Sequence, residues 1–511
     1  MAALEYTPIE DIDKIHAQLQ AGFKSGKTRS LAYRKYLLLQ LGYLVQENRA
    51  RFADSIHADL GRPKFETEFL EVNGFLQDVN AAIKNFEEWA KPVIPPFDIK
   101  TFAMKPKAHK IAKGVVLAIT PFNYPLWLVT APLISALAAG NTVCLKVAEN
   151  AAATAALWAE LVPQYFDPDV VRVINGGIPE TTRVLELQWD HISYTGGGAV
   201  GRIVATAAAK HLTPVTLELG GKSPVIVHSS CDLELTAKRV LLGRYTNAGQ
   251  TCVAPDYILV VKSIQQRFLE AVEKAHKSFT DGDATTKPGS YSNMITDRAY
   301  NRVKKLLEST RGKVIIGGET DDAQKHIALT VVNDVPKGDS LMSEEIFGPI
   351  LPILPVEDVD EAINMINEGD RPLAIYVFAN DEKVKDKVRT ETISGSMAFN
   401  EVVLQVAIDG IPLGGIGGSG YGYHTGKFGF DTFSHMRSEI DSPSFVERFM
   451  WWRYPPYTDE KLKAMNKFMA VALPPKPKGP PTSELQGTSW GRWFFLFVTL
   501  GTAAAVKKSR A

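Results

Sequence analysis

Apolar residues near the start of the chain recur at helical spacing. Ile12, Ile15 and Leu19 lie three or four residues apart, and the apolar run Leu37–Leu44 continues the pattern. This spacing puts apolar side chains on one face of a helix. The sequence therefore predicts a helical region from Ile9 to about Ala90.

From Gly114 onward, short apolar runs alternate with helical segments. Runs of this kind predict strands that are buried on both faces of a parallel sheet. The first predicted series has strands at Gly114–Thr120, Thr142–Val147, Val170–Ile174 and His191–Thr195, and a helix at Ala151–Tyr165. The second series has strands at Pro224–Val227 and Tyr257–Val261, and helices at Leu233–Leu242 and Ile264–Lys277. Two consecutive α/β units with a cleft between them are a common enzyme layout.

The C-terminal pattern is different. Five prolines lie within Pro474–Pro481, and the uncharged stretch Trp493–Val506 precedes a cluster of Lys507, Lys508 and Arg510. A helix over that stretch would reach about 21 Å, short of a hydrocarbon core of about 30 Å. Counting from Trp490 brings the segment to the lower limit of a span. The tryptophan-rich start and basic end favour an interfacial or short tail anchor over a buried amphipathic helix.

Charge sharpens this division. The whole chain of 511 residues carries 57 Lys and Arg against 57 Asp and Glu, a balance that argues against nucleic-acid binding. Residues 451–511 hold ten basic and three acidic residues, a net charge of +7, which leaves −7 for residues 1–450. We therefore expect an acidic enzyme followed by a basic tail suited to an anionic membrane surface.

Length and cysteine content set further limits. The length suggests two to four domains. Three cysteines without Cys-x-x-Cys spacing exclude a disulfide framework and a cysteine-built zinc site. The N-terminus carries acidic residues early and has no apolar run, so we expect neither a secretory signal nor a transit peptide.

Two residues stand out as candidates for chemistry. Cys252 lies among small residues in Asn247–Pro255, between a predicted helix and a predicted strand, which suggests an accessible thiol. Glu218 interrupts an apolar stretch, where burial would raise its pKa toward the range of a general base. Taken singly, a cysteine of this kind is more often a buried small side chain, and a residue such as Glu218 is more often an exposed strand-edge residue. Cys144 in an apolar strand and Cys231 in a turn are expected to be structural.

Three further segments could bind a ligand. Gly196–Gly201 follows a strand and opens a helix, so it satisfies the G-x-G-x-x-G dinucleotide pattern, although an acid at the usual distance is lacking apart from Glu218. Lys146 and Glu149 lie at a strand end, where open α/β sheets bind ligands. Asn123, in a proline-flanked turn after the first strand, could donate to a developing oxyanion.

Together these segments resemble the aldehyde dehydrogenase superfamily, and most closely its class 3 or fatty aldehyde dehydrogenase branch. The resemblance runs from about residue 10 to 445. It rests on Leu217–Pro224, Gly249–Cys252, Glu344–Pro349, Pro412–Gly420, and, for class 3 in particular, Arg371–Phe378 and Phe433–His435. Gly197 and Gly198 depart from the pattern, because relatives usually carry a polar residue there.

The resemblance implies roles for individual residues. Cys252 would be the nucleophile and Glu218 the base that activates the hydrolytic water, while Asn123 with the Cys252 N–H would form the oxyanion hole. The expected NAD or NADP contacts are Lys146 and Glu149 at the adenosine ribose, Gly196, Gly197, Gly198, Ala199, Val200 and Gly201 at the pyrophosphate, and Glu345 and Phe347 at the nicotinamide riboside. No metal is expected.

The implied fold is α/β, with a Rossmann-like NAD-binding domain, an α/β catalytic domain and a small oligomerisation segment. The expected divisions are the NAD-binding domain at 1–89 and 112–219, the catalytic domain at 220–412, oligomerisation segments at 90–111 and 413–450, a proline-rich tail at 451–482 and an anchor at 483–511.

The resemblance implies NAD(P)-dependent oxidation of medium- or long-chain aliphatic aldehydes by a homodimer. Benzaldehyde-type substrates are an alternative, and a catalytically silent membrane-tethered protein on the same fold is a remote one. CoA acylation is disfavoured by Glu218, since acyl transfer to CoA needs no water-activating base. The tail predicts a cytosol-facing membrane location at the endoplasmic reticulum, the mitochondrial outer membrane or a lipid droplet.

Overall fold

The computed structural model describes residues 4–282 and 286–477. These residues form two compact units. The first comprises the residues up to Phe97 together with Pro106–Ile440, and the second comprises Asp98–Lys105 and the described residues from Asp441 onward.

The first unit begins with helices, as the apolar spacing predicts. They are α1 (Ile9–Ser25), α2 (Leu31–Glu47), α3 (Arg49–Leu60), α4 (Lys64–Thr67) and α5 (Asn73–Trp89). The predicted face of α1 is buried at Ile12, Ile15 and Leu19. A π-helical segment, Glu68–Val72, links α4 to α5. Such segments are frequent at functional sites, and this one turns Glu71 into the protein interior, where its side chain is fully buried.

The next part of the chain builds a six-stranded sheet. Strand β1 (Lys107–Ala112) comes first in the chain and does not belong to this sheet. The elements that follow are β2 (Val115–Ile119), α6 (Trp127–Ala139), β3 (Thr142–Lys146), α7 (Ala152–Tyr165), β4 (Val171–Ile174), α8 (Ile178–Glu186), β5 (His191–Thr195), α9 (Gly198–Ala209) and β6 (Val215–Glu218). With β16 (Gly420–Tyr421), which comes later in the chain and is the one antiparallel member, the strand order is β16-β6-β5-β2-β3-β4. The five parallel strands follow the mononucleotide-binding order of a Rossmann sheet.

A seven-stranded sheet follows in the order β15-β14-β7-β8-β13-β12-β9, and a small β10–β11 pair lies apart from it. The elements are β7 (Pro224–Val227), α10 (Leu233–Tyr245), β8 (Tyr257–Val261), α11 (Gln265–Phe279), α12 (Asp297–Glu308), β9 (Lys313–Ile316), β10 (Thr320–Asp321), β11 (His326–Ile327), β12 (Thr330–Asn333), β13 (Ile350–Val356), α13 (Val359–Glu368), β14 (Ala374–Phe378), α14 (Glu382–Glu391) and β15 (Ser396–Phe399). The strands predicted from the sequence for both sheets, and the helices predicted between them, are confirmed; their first and last residues differ from the predicted ones by a few positions.

The first unit ends with β16 (Gly420–Tyr421), α15 (Gly426–Thr432) and β17 (Ser434–Glu439). Strand β17 pairs antiparallel with β1, from Lys107 opposite Glu439 to Ala112 opposite Ser434. The two predicted oligomerisation segments therefore share a two-stranded sheet. The domain boundaries expected from the sequence stay a prediction.

The second unit holds α16 (Glu447–Met450) and α17 (Asp459–Met469). The stretch expected to be a proline-rich tail thus contains a helix, and Thr458 caps it by accepting from the Lys461 N–H. No helix among the described residues is long and apolar enough to cross a membrane. The expected anchor at 483–511 lies outside the described residues.

Candidate active site

Cys252 lies at the end of a loop with unusual backbone geometry. We define this cysteine loop as Thr246–Cys252, between α10 and β8. Asn247 and Ala248 both have φ of +52° and Gly249 has φ of +68°, so three consecutive residues adopt the left-handed region. A Cβ at position 249 would lie 2.3 Å from the Gly348 carbonyl oxygen. Left-handed conformations cost free energy at non-glycine residues and persist only where the surroundings enforce them.

Hydrogen bonds from distant segments enforce this conformation. The Asn247 N–H donates to Glu66 Oε1 at 2.6 Å, and Asn247 Nδ2 donates to the Asn123 carbonyl at 2.9 Å. Tyr124 Oη and Thr251 Oγ1 are 2.7 Å apart. The cysteine loop is therefore tied to the helical region and to the turn after β2.

The three cysteines have different environments. Cys252 is partly exposed and lines a cavity, whereas Cys144 is fully buried in β3 and Cys231 lies in a turn before α10. Burial, together with the nearby charges of Glu345 and Glu218, raises the pKa of the Cys252 thiol to about 12. The thiol is thus accessible but protonated at rest, so attack on a substrate requires removal of its proton.

Asn123 lies beside the cysteine loop. Its side chain is 3% exposed, and Nδ2 donates to the Gln250 carbonyl oxygen at 3.0 Å. The fully buried Arg62 donates to the Asn123 carbonyl oxygen at 2.5 Å and also pairs with Glu71. An amide nitrogen carries two N–H groups, so the bond to Gln250 uses one of them and leaves the other for a second acceptor.

The buried carboxylate of Glu71 anchors the same turn from its other side. Its Oε2 accepts from the Leu126 and Trp127 N–H groups at 2.8 and 3.0 Å. Arg62, Glu66 and Glu71 were not predicted from the sequence. Charged residues in a region predicted to be helical are usually solvent-exposed, and nothing local marks the contacts of these three with the cysteine loop and the turn after β2.

Glu218 ends β6 and is 4% exposed, so the reading as an exposed strand-edge residue is wrong. Burial raises the pKa of Glu218, and His424 partly opposes that shift. Glu218 Oε1 lies 3.4 Å from His424 Nδ1. A carboxylate with a raised pKa is suited to accept a proton from water near neutral pH.

One cavity of about 200 Å³ carries both Glu218 and Cys252 in its wall. Most of the remaining lining is apolar. The apolar members include Phe69, Leu70, Trp127, Leu128, Leu219, Val253, Leu373, Val403, Leu404, Val406 and Leu413. The polar members besides the two candidate residues include Asp78, Thr195, Thr251 and His424. A mostly apolar cavity with a few converging polar groups is typical of a binding site for an apolar substrate.

The glycine turn at Gly196–Gly201 opens α9 after β5, as the dinucleotide pattern requires. A Cβ at Gly201 would lie 2.9 Å from Leu219 Cδ2, so this glycine allows close approach of helix and strand. Nothing lies within 4 Å of a Cβ at Gly197. Ala199 and Val200 are exposed in the first turn of α9. The N-terminal end of the helix is thus open to an anion such as a pyrophosphate.

Lys146 and Glu149 lie together at the carboxyl end of β3. Lys146 is 3% exposed, and its Nζ lies 3.2 Å from Glu149 Oε2 and 3.0 Å from the Val147 carbonyl oxygen. Both side chains lie on the edge of the sheet that also bears the glycine turn. The pair therefore fits a hydroxyl-rich group such as a ribose.

Glu345 and Phe347 lie in an irregular loop that precedes β13. Arg302 donates to the carbonyl oxygens of Glu345 and Ile346, and the Ile346 N–H donates to Asp256 Oδ1 at 3.1 Å. Burial and the neighbouring Asp256 raise the pKa of Glu345 to about 8.

The carboxylate of Glu345 lies close to Gly220, two residues after the end of β6. A Cβ at Gly220 would lie 2.2 Å from Glu345 Oε2, so the glycine admits the carboxylate. Phe347 has φ of +44°, and its ring meets that of Phe122 edge-on at 6.0 Å. The described residues contain no group of His, Cys, Asp and Glu side chains that could hold a metal ion.

The family that these features define is confirmed by comparison with known proteins. The model of the aldehyde dehydrogenase family matches residues 1–438. The chain therefore belongs to this family and is an NAD(P)-dependent aldehyde dehydrogenase.

Curated relatives place it in the class 3 branch. The dimeric NADP-preferring aldehyde dehydrogenase of Rattus norvegicus is 43% identical over 434 residues, covering 85% of this chain and 95% of the relative. Family 3 member A2 of Pongo abelii is 43% identical over 447 residues, covering 87% and 91%. Family 3 member B1 of Homo sapiens is 42% identical over 448 residues, covering 88% and 95%.

Solved structures confirm the fold. The substrate-bound state of Staphylococcus aureus AldH superposes with a TM-score of 0.86 at 35% identity, covering 90% of this chain and 99% of that structure. A Mycobacterium tuberculosis aldehyde dehydrogenase complexed with NAD+ superposes with a TM-score of 0.75 at 26% identity, covering 86% and 91%.

Proposed function

We propose that this enzyme oxidises medium- and long-chain aliphatic aldehydes to carboxylic acids, with Cys252, Glu218 and Asn123 as its catalytic residues. The observation that carries the proposal is the mostly apolar cavity whose wall contains both Cys252 and Glu218. An alkyl chain gains about 0.8 kcal/mol for each methylene group that it buries in such a cavity.

The first half of the reaction uses the cysteine loop and the turn after β2. The Cys252 thiol first gives its proton to a water molecule, and the resulting thiolate attacks the aldehyde carbon while the carbonyl π electrons move to the oxygen. The oxyanion that forms is held by Asn123 Nδ2 and the Cys252 N–H. Bound NAD(P)+ supplies the acceptor for the hydride that leaves this carbon. Cys252 is then left as a thioester.

The second half uses Glu218. Its carboxylate takes a proton from water, and the water oxygen attacks the thioester carbon while Cys252 leaves as a thiolate. The raised pKa of Glu218 brings its proton affinity closer to that needed at neutral pH. This water-activating base supports hydrolysis over transfer of the acyl group to CoA.

The cofactor would be held by the residues that the resemblance implies. Lys146 and Glu149 fit the adenosine ribose, Glu345 the nicotinamide ribose and Phe347 the ring side. The open glycine turn supports a pyrophosphate at Gly196–Gly201, since nothing fills the space beside Gly197. The choice between NAD and NADP is to be measured.

The substrate proposal is tested by NADH and NADPH production with a series of linear aldehydes and with benzaldehyde. We expect kcat/KM to rise with chain length, and Glu218→Gln to lower kcat by roughly 10²-fold. Leu404→Asp should lower kcat/KM for dodecanal relative to propanal by roughly tenfold, because it places a charge in the apolar wall. Leu212→Asp is the matched control, since Leu212 is 90% exposed and outside the cavity. A preference for propanal or benzaldehyde in the unchanged enzyme would contradict the substrate class.

We further propose that the C-terminal segment attaches the enzyme to the cytosolic face of an intracellular membrane. The net charge of +7 over residues 451–511 and the tryptophan-rich stretch before the basic end support this. Deletion after Gly479 is expected to abolish binding to vesicles that contain phosphatidylserine while leaving activity intact. Replacing Lys507, Lys508 and Arg510 with Glu is expected to weaken binding only partly. Sedimentation of the truncated chain with vesicles would exclude the anchor.

A homodimer is the proposed assembly, supported by the relative named as dimeric and by the β1–β17 pair, which forms a two-stranded sheet separate from the two larger sheets. Light scattering during size-exclusion chromatography tests it. A mass near 56.1 kDa, that of one chain, would contradict the proposal.

A further inference from the structure

One buried side chain in the cavity wall has no role in the chemistry described so far. His424 is 1% exposed and lines the cavity with Cys252 and Glu218. Its Nδ1 lies 3.4 Å from Glu218 Oε1, slightly beyond a normal hydrogen bond. Within residues 4–282 and 286–477, neither ring nitrogen nor Oε1 has a hydrogen-bond partner. Buried polar atoms without partners are rare and call for an explanation.

The backbone holds His424 next to the carboxylate. Gly420 in β16 pairs directly opposite Glu218 in β6. Ser135 Oγ donates to the His424 carbonyl oxygen at 2.8 Å, and a Cβ at Gly429 would lie 2.5 Å from the His424 carbonyl carbon. The backbone of His424 is therefore held near Glu218 by a strand pair and by contacts with α6 and α15.

The other ionisable side chains that line this cavity become negative when they ionise; they are Cys252, Tyr124 and Asp78. Cys252 interacts with Glu218 and Glu345, and Asp78 on α5 interacts with His424 and Asp409. Each of them, once ionised, disfavours a second negative charge nearby. Within this set His424 is the group that favours an ionised Glu218.

We propose that His424 is a positioning residue for Glu218, whose imidazole N–H donates to Oε1, aims the carboxylate into the cavity and keeps it ionised until it accepts a proton. The inference rests on the proposed role of Glu218 as the base. In that step a water O–H bond breaks and its proton moves to Glu218. The water oxygen bonds to the thioester carbon, and the Cys252 S–C bond breaks to release a thiolate.

An activated ester isolates this step from hydride transfer. p-Nitrophenyl acetate acylates a reactive cysteine without NAD(P), so the burst of p-nitrophenolate reports acylation and the steady-state rate reports deacylation. For His424→Phe we expect the burst amplitude to persist, while deacylation at pH 7 falls roughly tenfold. The ascending limb of its profile of deacylation rate against pH should shift to higher pH by about one pH unit, because Glu218 loses the group that favours its ionised form.

Two further variants separate positioning from general damage. His424→Asn keeps an N–H donor near the position of Nδ1 and is expected to restore most of the deacylation rate at pH 7. His276→Phe is the matched control, since His276 is buried in α11 and its Nε2 also lacks a partner among the described residues. This control should lower Tm without moving the pH limb.

The outcomes distinguish the inference from the proposed function. If Glu218→Gln deacylates at the unchanged rate, Glu218 is not the base and the proposed mechanism is wrong. If Glu218→Gln is slow but His424→Phe keeps the original rate and pH limb, the role of His424 is wrong. If His424→Phe does not fold, His424→Ala is measured instead, and an unmoved limb there overturns the inference equally.

Discussion

The cysteine loop and the glycine turn are both short connections at the site, yet they are built in opposite ways. In the cysteine loop, Asn247 and Ala248 are at most 1% exposed and held in the left-handed region by contacts with distant segments. In the glycine turn, Gly197 has an ordinary φ of −72° and empty space around it. The two connections differ because one positions a nucleophile and the other accommodates a ligand. A nucleophile must be held at one position, whereas a pyrophosphate needs room and free N–H groups.

The largest effect is expected at the end of the cysteine loop. Cys252→Ala removes the atom that forms the covalent intermediate, so kcat/KM for any aldehyde should fall by about 10³-fold or more. Steady-state production of NADH or NADPH measures this. Cys231→Ala is the matched control and should retain full activity, because Cys231 lies in a turn outside the cavity. Turnover by Cys252→Ala at the unchanged rate would exclude the covalent mechanism.

A substitution at Gly249 tests the strain in the same loop. Gly249→Ala places a Cβ 2.3 Å from the Gly348 carbonyl oxygen at a φ of +68°. The Gly348 carbonyl oxygen can move away only if the loop that carries Glu345 moves with it, and alanine is strained at this φ. We therefore expect a loss of about 3 kcal/mol in the free energy of unfolding. Denaturant unfolding measures it. An unchanged midpoint would mean that the cysteine loop is as tolerant as the glycine turn.

Glu345, whose charge interacts with Cys252, is expected to make the stability of the enzyme depend on pH. Burial raises the pKa of Glu345 to about 8 in the folded enzyme. Between the ordinary pKa of a glutamate and about pH 8, Glu345 is ionised in the unfolded chain but protonated in the native state. The native state therefore binds more protons, and the free energy of unfolding falls as pH rises. Glu345→Gln cannot ionise and should gain in Tm relative to the unchanged enzyme between about pH 5 and pH 9. Thermal unfolding across this range checks the slope, and a constant Tm difference would contradict the raised pKa.

The smallest effect is expected in the glycine turn. Gly197→Ser introduces a polar side chain of the kind that relatives usually carry, at a φ that any residue adopts. Because nothing lies within 4 Å of the new Cβ, stability should change by less than about 0.5 kcal/mol. The KM for NAD and for NADP should stay within about twofold. A loss as large as that of Gly249→Ala would show that the turn is not open, and the contrast between the two loops would be lost.

Local pattern predicted four of the six strands of the first sheet and two of the seven strands of the second. Buried parallel strands have continuous apolar runs, so His191–Thr195, Pro224–Val227 and Tyr257–Val261 are found within the predicted limits. The irregular loop around Glu345 was not predicted. Its conformation depends on Arg302 and Asp256, which lie far from it in sequence. Long-range hydrogen bonds of this kind leave no periodic signal.

By itself the sequence determined the family and the reaction, because the nucleophile, the base and the glycine turn lie in short contiguous motifs with their neighbours. The tertiary structure decided what those groups can do. It buried Glu218 and raised its pKa, joined Asn123 to the cysteine loop through hydrogen bonds with Asn247 and Gln250, and brought His424 to the carboxylate. Ionisation and orientation depend on atoms that surround a group in space, and only folding assembles those surroundings.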